Sequence, residues 1–339
     1  MKGLSFGLHG GLAFAAVALL SGCGGGPFAL GQAQGDTARG DGALLPMARA
    51  AMPAGRKSTL IYAANEETGG VDVFDYSSGR IVQTLTGLEA DAGCVDAKGD
   101  VYIVEPSGIV VKFAHGGTTP LTTYRTGGDL VGCSVDSEGD LAVTASSPGR
   151  VTVYEKGNPQ RTKSYDNSDC EITSAFGYDD KGDVIGLGSY NSVFICAVLR
   201  GAKAETTLEG SGITVKAPNG SMWDGKYLEL GDQEAGADNA QTGMIQATLS
   251  GKALTAKNEV ILADSCYRGY VDVRNPFVVG KKNTPVNDRQ GKVVVGANLY
   301  CFSSGSGGIE FWHYPQGGSP FRMFTTTDEV TVLAVSIGT

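Results

Sequence analysis

Three segments of the chain carry the same short phrase. Cys94-Val95-Asp96-Ala97-Lys98-Gly99-Asp100-Val101-Tyr102-Ile103 comes first, then Cys133-Ser134-Val135-Asp136-Ser137-Glu138-Gly139-Asp140-Leu141-Ala142-Val143, then Phe176-Gly177-Tyr178-Asp179-Asp180-Lys181-Gly182-Asp183-Val184-Ile185. The glycines Gly99, Gly139 and Gly182 lie 40 and 43 residues apart. Self-similarity at about 40 to 50 residues marks an array of one supersecondary unit. An Asp, two mostly polar residues, a Gly and a β-rich run predict a short hairpin loop built on a type I turn, closed by a positive φ at the Gly.

The flanks of each turn read as strands. Two further β-prone runs follow in each copy: Ile109–Phe113 and Leu121–Tyr124 in the first, Val151–Tyr154 and Thr162–Tyr165 in the second. Four strands per repeat is the content of one propeller blade. Turn chemistry accounts for the aspartates, because an Asp-x-x-Gly-Asp hairpin lacks the glutamate that closes an EF-hand calcium loop. The 51 glycines among 339 residues, about twice the usual share of roughly 7%, suit a chain with many tight turns. A net charge of −9 and the lack of any Lys/Arg cluster exclude a nucleic-acid partner, which needs a basic face.

The first residues predict an address. Met1-Lys2 is a short basic start, and Leu12–Leu20 is an apolar run too short for a membrane span. Leu20-Ser21-Gly22-Cys23 follows. This closely resembles the lipobox of bacterial lipoproteins, in which the Cys thiol takes a diacylglyceryl group and the chain is cleaved just before it. The resemblance implies a signal peptide over 1–22, lipidated Cys23 as mature N-terminus, and attachment to the cell envelope. In a two-membrane bacterium Gly24, which is not Asp, implies sorting to the outer membrane. Residues 23–57, rich in Gly, Ala and Pro, read as a flexible tether.

The domain over 58–339 opens with Leu60–Asn65, Val71-Asp72-Val73-Phe74-Asp75, Gly79-Arg80 and Ile81–Leu85. That stretch resembles the YVTN-type propeller repeat of bacterial surface proteins, and the later Val-Asp-x-x-Gly-Asp-Val-Tyr copies resemble NHL-repeat blades. Both resemblances imply an all-β propeller and say little about function. Less regular blades are expected near Cys170–Cys196, from about Gly212 through Val260-Ile261-Leu262, and from about Tyr270 through Phe324. The first blade has only three strands of its own, and Val330–Ser336 is left over. Pairing that strand, 330–336, as the innermost of blade 1 closes the ring and removes exposed edges. The count is six blades, or seven if the stretch 231–287 holds another.

Six cysteines remain after Cys23, an even number that favours disulfides in an exported chain. Repeat position favours Cys170–Cys196 and Cys266–Cys301. Cys94 and Cys133 occupy matching places on adjacent inner strands, where either a third bridge or two buried thiols would fit.

No Cys-x-x-Cys, nucleophile elbow or phosphate-binding glycine loop is present. Past residue 23 the only histidines are His115 and His313, at or just after third strands. No catalytic residue, metal or cofactor is assigned. Resemblance to six-bladed calcium-dependent lactonases of the gluconolactonase type and to streptogramin lyases implies a metal-dependent hydrolase or lyase as the alternative, with Glu171, Asp224 and Asp272 near inner-strand positions; Asp224 is more simply a turn residue beside Gly225. The preferred reading is a lipid-anchored, extracytoplasmic interaction or ligand-binding module. Its partner would be an envelope protein or a small ligand at the channel mouth, met by Trp223, Tyr267, Arg268 and Tyr270. The competing role for Trp223 is packing between blades.

Overall fold

The computed structural model describes residues 58–65, 67–146, 149–166, 172–189, 193–201, 206–236, 241–263, 271–272, 287–288, 291–298 and 307–338. These fall in one unit, Ala48–Thr339, and form six sheets, antiparallel but for one strand of blade 5, with no α-helix among the described residues. Each sheet is a blade. Blade 2 is Ala92–Val95, Val101–Glu105, Ile109–Phe113 and Pro120–Arg125 in spatial order. Blade 3 is Leu130–Val135, Leu141–Ala145, Arg150–Tyr154 and Thr162–Asp166. Inner strands of neighbouring blades 2, 3, 4 and 5 lie side by side. Blade 1 takes its inner strand from the other end of the chain: Val330–Ile337 pairs antiparallel with Thr59–Asn65, Ser336 opposite Leu60 and Ala334 opposite Tyr62.

The strands are nearly continuous apolar runs because a blade is covered on both faces. In blade 1 Leu60, Tyr62 and Ala64 join the cluster shared with blade 2, while Ile61 and Ala63 join the one shared with blade 6. Successive strand residues point to opposite faces, so one strand feeds two wedges. The apolar core is accordingly six clusters, one between each pair of adjacent blades.

The repeated phrase is the first hairpin of a blade. In each copy the Asp carboxylate accepts two backbone N–H bonds: Asp96 from Lys98 and Asp100 (2.9 and 3.0 Å), Asp136 from Glu138 and Asp140 (2.9 and 2.8 Å), Asp179 from Lys181 and Asp183 (2.8 and 2.9 Å). Gly99 turns the chain with φ +84°, and a Cβ there would lie 2.4 Å from the Ile337 carbonyl oxygen.

The stretch 231–287, which left room for a seventh blade as the alternative to six, shows none within the described residues. Leu228–Ala235, Gln241–Ser250 and Ala253–Leu262 are long strands of blade 5. Blade 5 also starts differently from the sequence expectation. Its inner strand is Pro218–Trp223, and Glu209–Ser211, from the preceding connection, runs parallel to Ala253–Leu262 as a fifth, outermost strand. A ten-residue outer strand would leave a long row of unpaired backbone groups, and this short strand covers part of it.

Cys94 and Cys133 are bridged, with Cα atoms 5.6 Å apart. Their places are not equivalent: Cys94 stands two residues before its turn aspartate and Cys133 three. A one-residue offset on a strand flips the side chain to the other face. Cys94 therefore faces blade 3 while Cys133 faces blade 2, and both sit in the shared cluster. Cys196 is also in a disulfide. Cys23, Cys170, Cys266 and Cys301 lie outside the described residues.

Candidate functional site

The first-hairpin turns and the loops after third strands emerge on one face of the ring. On that face of blade 2 the turn carries its own counter-ion. Lys112 Nζ lies 2.9 Å from both Asp96 Oδ2 and Asp100 Oδ2 and 4.9 Å from the Tyr102 ring centroid. Burial by itself would lower the Lys112 pKa, but the bonds to Tyr102, Asp96 and Asp100 outweigh it and hold the ammonium well above the ordinary lysine range.

Between blades 3 and 4 the same face opens into a cleft of about 290 Å³. Its floor is apolar, from Val153, Val184 and Val198. Its walls carry charges of both signs. Lys163 pairs with Glu155 and Arg200 with Glu138, each at 2.6 Å, all of them solvent-accessible; such pairs contribute little stability. Asp140 Oδ1 accepts from the Lys156 backbone N–H at 2.7 Å. Arg161 completes the rim.

Deeper in the cleft, Tyr178 is 7% exposed and its hydroxyl has no hydrogen-bond partner. Burial and the negative charges of Asp136 and Asp140 push this phenol far above the ordinary tyrosine range. Burial likewise raises the Asp136 carboxyl above the usual carboxylate range. A buried hydroxyl without a partner costs about 1–3 kcal/mol, so this one is a place where a ligand group would be welcome.

A second polar cluster fills the wedge between blades 5 and 6. Glu229, fully buried, accepts at Oε1 from the Tyr314 hydroxyl and the Gln246 amide, while its Oε2 is unpartnered. Asp224 Oδ2 pairs with Lys292 at 3.0 Å. Burial, reinforced by the Asp224 charge, pushes the Glu229 carboxyl up to about 8.

The residues singled out from sequence are spread apart. Trp223 is half-buried against the blade 4–blade 5 cluster, and Asp224 is a turn residue whose Oδ1 accepts from Lys226 and Tyr227 at 2.6 Å each. Tyr267, Arg268, Tyr270 and Glu171 lie outside the described residues, and of Asp272 only the backbone is described, in the inner strand Val271–Asp272. His313 stacks on Phe321 with centroids 4.0 Å apart. His115 is part of the ring seam: its Nδ1 is 2.8 Å from Ser336 Oγ, which donates to the Gly99 carbonyl. Among the described residues no group of three His, Cys, Asp or Glu side chains is placed to hold a metal ion. The cleft itself was not singled out from sequence, because its lining spans residues 136–201 and two blades. Aligning the blades through their strand pairing is the signal that reveals it.

Six four- or five-stranded sheets, closed by strands from both ends of the chain, define a six-bladed β-propeller. Similar solved structures include a chain of the nidogen/laminin complex, with TM-score 0.58 and 12% identity over 83% of this chain and 99% of that one. A protein of unknown function from Bacteroides caccae is similar with TM-score 0.52 and 10% identity, again over 83% and 99%. At such identities the likeness is one of fold. No family model matches the sequence, and no curated protein does.

Proposed function

We propose that the chain is a lipid-anchored β-propeller of the bacterial cell envelope that binds a partner protein through the turn face of blades 3 and 4. A propeller fold fits a protein-interaction module: its stiff ring presents loops and wedge openings in fixed positions. The observation that carries the reading is the blade 3–blade 4 cleft, with its apolar floor, mixed charges and unpartnered Tyr178 hydroxyl. The extracytoplasmic address is supported by the lipobox-like Leu20-Ser21-Gly22-Cys23 and by the Cys94–Cys133 bridge, which suits an oxidising compartment. In this reading residues 23–57 hold the ring away from the membrane, and in a two-membrane bacterium the anchor lies in the outer membrane. The nidogen/laminin chain, which shares the fold, was solved as a complex.

Two experiments test this. Cys23→Ser in the full chain should move the protein from the membrane fraction to the soluble one; a variant that still pellets with membranes refutes the anchor. A photo-crosslinking residue in place of Arg161, in living cells, should yield one dominant adduct that is absent when the label replaces Leu121 on the exposed outer edge of blade 2. Equal or absent adducts at both positions refute the turn face as the contact surface.

A further inference from the structure

A cavity of about 440 Å³ lies between blade 1 and the connection that leads from blade 6 into the closing strand, within the roughly 300–1,000 Å³ of small-molecule sites. Asn65, Asp72 and Asp328 line its polar part, and Phe74, Ile81 and Val330 give it an apolar wall. Asn65 and Asp72 are only 4% and 6% exposed. One amide joins the two carboxylates. Asn65 Nδ2 donates to Asp72 Oδ2 at 3.0 Å and to Asp328 Oδ2 at 2.9 Å, so both oxygens stand within reach of a single nitrogen. Asn65 Oδ1 is engaged elsewhere, accepting from the Glu67 and Thr68 backbone N–H groups at 3.1 and 3.0 Å, which settles which end of the amide meets the carboxylates.

The other Asp72 oxygen, Oδ1, accepts from the Thr84 hydroxyl at 2.6 Å. Both Asp72 oxygens therefore accept, as those of an ionised carboxylate do. Bonds from a neutral amide and hydroxyl occupy lone pairs but leave the charge unanswered, and buried charges are ordinarily paired with an opposite one. Among the described residues neither Asp72 nor Asp328 has an ion pair. The groups that act on Asp328 are Asn65, Glu67 and Thr327, none of them positive. Glu67 hydrogen-bonds the same Asp328 carboxylate, which raises its own carboxyl above the usual range, the direction expected where like charges crowd together. Arg80 lines the cavity from the exposed side and is in no ion pair. No three carboxylates here are placed to hold a metal ion, so the chemistry that matches is a nitrogen cation with N–H donors.

We propose that this cavity binds a small organic cation, an alkylguanidinium or alkylammonium, whose head group bridges Asp72 Oδ2 and Asp328 Oδ2, the two oxygens that Asn65 Nδ2 already links. The alkyl chain lies along Phe74, Ile81 and Val330. Arg80 carries the same sign of charge as the ligand and disfavours a second cationic group at its end of the cavity, so a monocation is preferred. The site belongs to blades 1 and 6 and does not depend on the contact surface proposed for blades 3 and 4.

Isothermal titration of the full chain in detergent micelles tests it with three probes of similar size: butylguanidinium, butylammonium and the neutral butylurea. The better of the two cations should bind about tenfold or more tighter than butylurea, and the cation that leads identifies the head group. Asp72→Asn and Asp328→Asn each remove one charge at nearly constant shape and should weaken that binding about tenfold. Arg80→Ala should leave it equal or tighter, which tells an electrostatic site from one that only needs an intact wall. Failure of both cations to bind at about 10 mM, butylurea binding as tightly as they do, or a clear loss of affinity in Arg80→Ala overturns the proposal. So does wild-type affinity in Asp328→Asn, the less buried of the two aspartates, which decides alone if Asp72→Asn does not fold. Calcium chloride that displaces the bound cation at about equal concentration would assign the carboxylates to a metal and also overturn it.

Discussion

Glu229 gives the stability of this propeller a pH dependence that one substitution should remove. The carboxyl is fully buried between blades 5 and 6, with its Oε2 unpartnered, and burial raises it from an ordinary 4.5 to about 8. Between those values the folded chain holds a proton that the unfolded chain has released, so stability falls as pH rises. The contribution of Glu229 is full below pH 4.5 and is lost as pH climbs through about 8. At about 1.4 kcal/mol per pH unit, the whole span amounts to about 5 kcal/mol, of which about 3 kcal/mol is lost between about pH 6 and pH 9. Glu229→Gln keeps an oxygen to accept from the Tyr314 hydroxyl and the Gln246 amide but cannot ionise. Urea unfolding at about pH 6 and pH 9 should show the wild type losing about 3 kcal/mol more than the variant, which should be the more stable of the two at the higher pH. Parallel losses in the two proteins would refute the protonated, buried Glu229.

Three further tests concern the ring. Replacing Cys94 and Cys133 together by alanine opens a loop with a sequence separation of 39 and should lower stability by about 4 kcal/mol, read as a shift in urea midpoint under non-reducing conditions; an unchanged midpoint would deny the bridge. Gly99→Ala and Gly139→Ala strain similar positive φ angles, +84° and +89°, but only the first drives a Cβ to 2.4 Å from a carbonyl, that of Ile337. Gly139→Ala should cost about 1 kcal/mol and Gly99→Ala clearly more; equal thermal shifts would deny the close approach at the seam. Burial lowers the pKa of the half-buried His115, so the folded state resists protonation; its contribution is present above the ordinary 6.5 and is lost as pH falls below that value. His115→Gln should therefore flatten the acid limb of the stability profile, checked by thermal melts from about pH 7 down to about pH 5.

The blades were legible in the sequence because their signals are local. An aspartate that caps its own hairpin, as Asp96, Asp136 and Asp179 do, uses partners within four residues. Strands buried on both faces show as apolar runs such as Leu60-Ile61-Tyr62-Ala63-Ala64. The leftover Val330–Ser336 run and the three-stranded first blade pointed to each other, since each alone would leave an edge. The blade 5 boundary was legible less well, because Glu209–Ser211 pairs in parallel with a strand about forty residues later, a partnership that no local period records.

What the sequence by itself determined is the repeating unit, the turn chemistry that builds it and the means of closing the ring. All of these follow from hydrogen bonds and alternation within a few residues. What only the tertiary structure decided lies in the wedges between blades, where side chains from different repeats meet. There a one-residue offset turned Cys94 and Cys133 toward each other, Glu229 met Tyr314 from 85 positions away, and residues of two blades came together around the cleft that Tyr178 lines. Wedge contacts depend on which face each strand turns to its neighbour, and that register is set by pairing and packing across the whole ring.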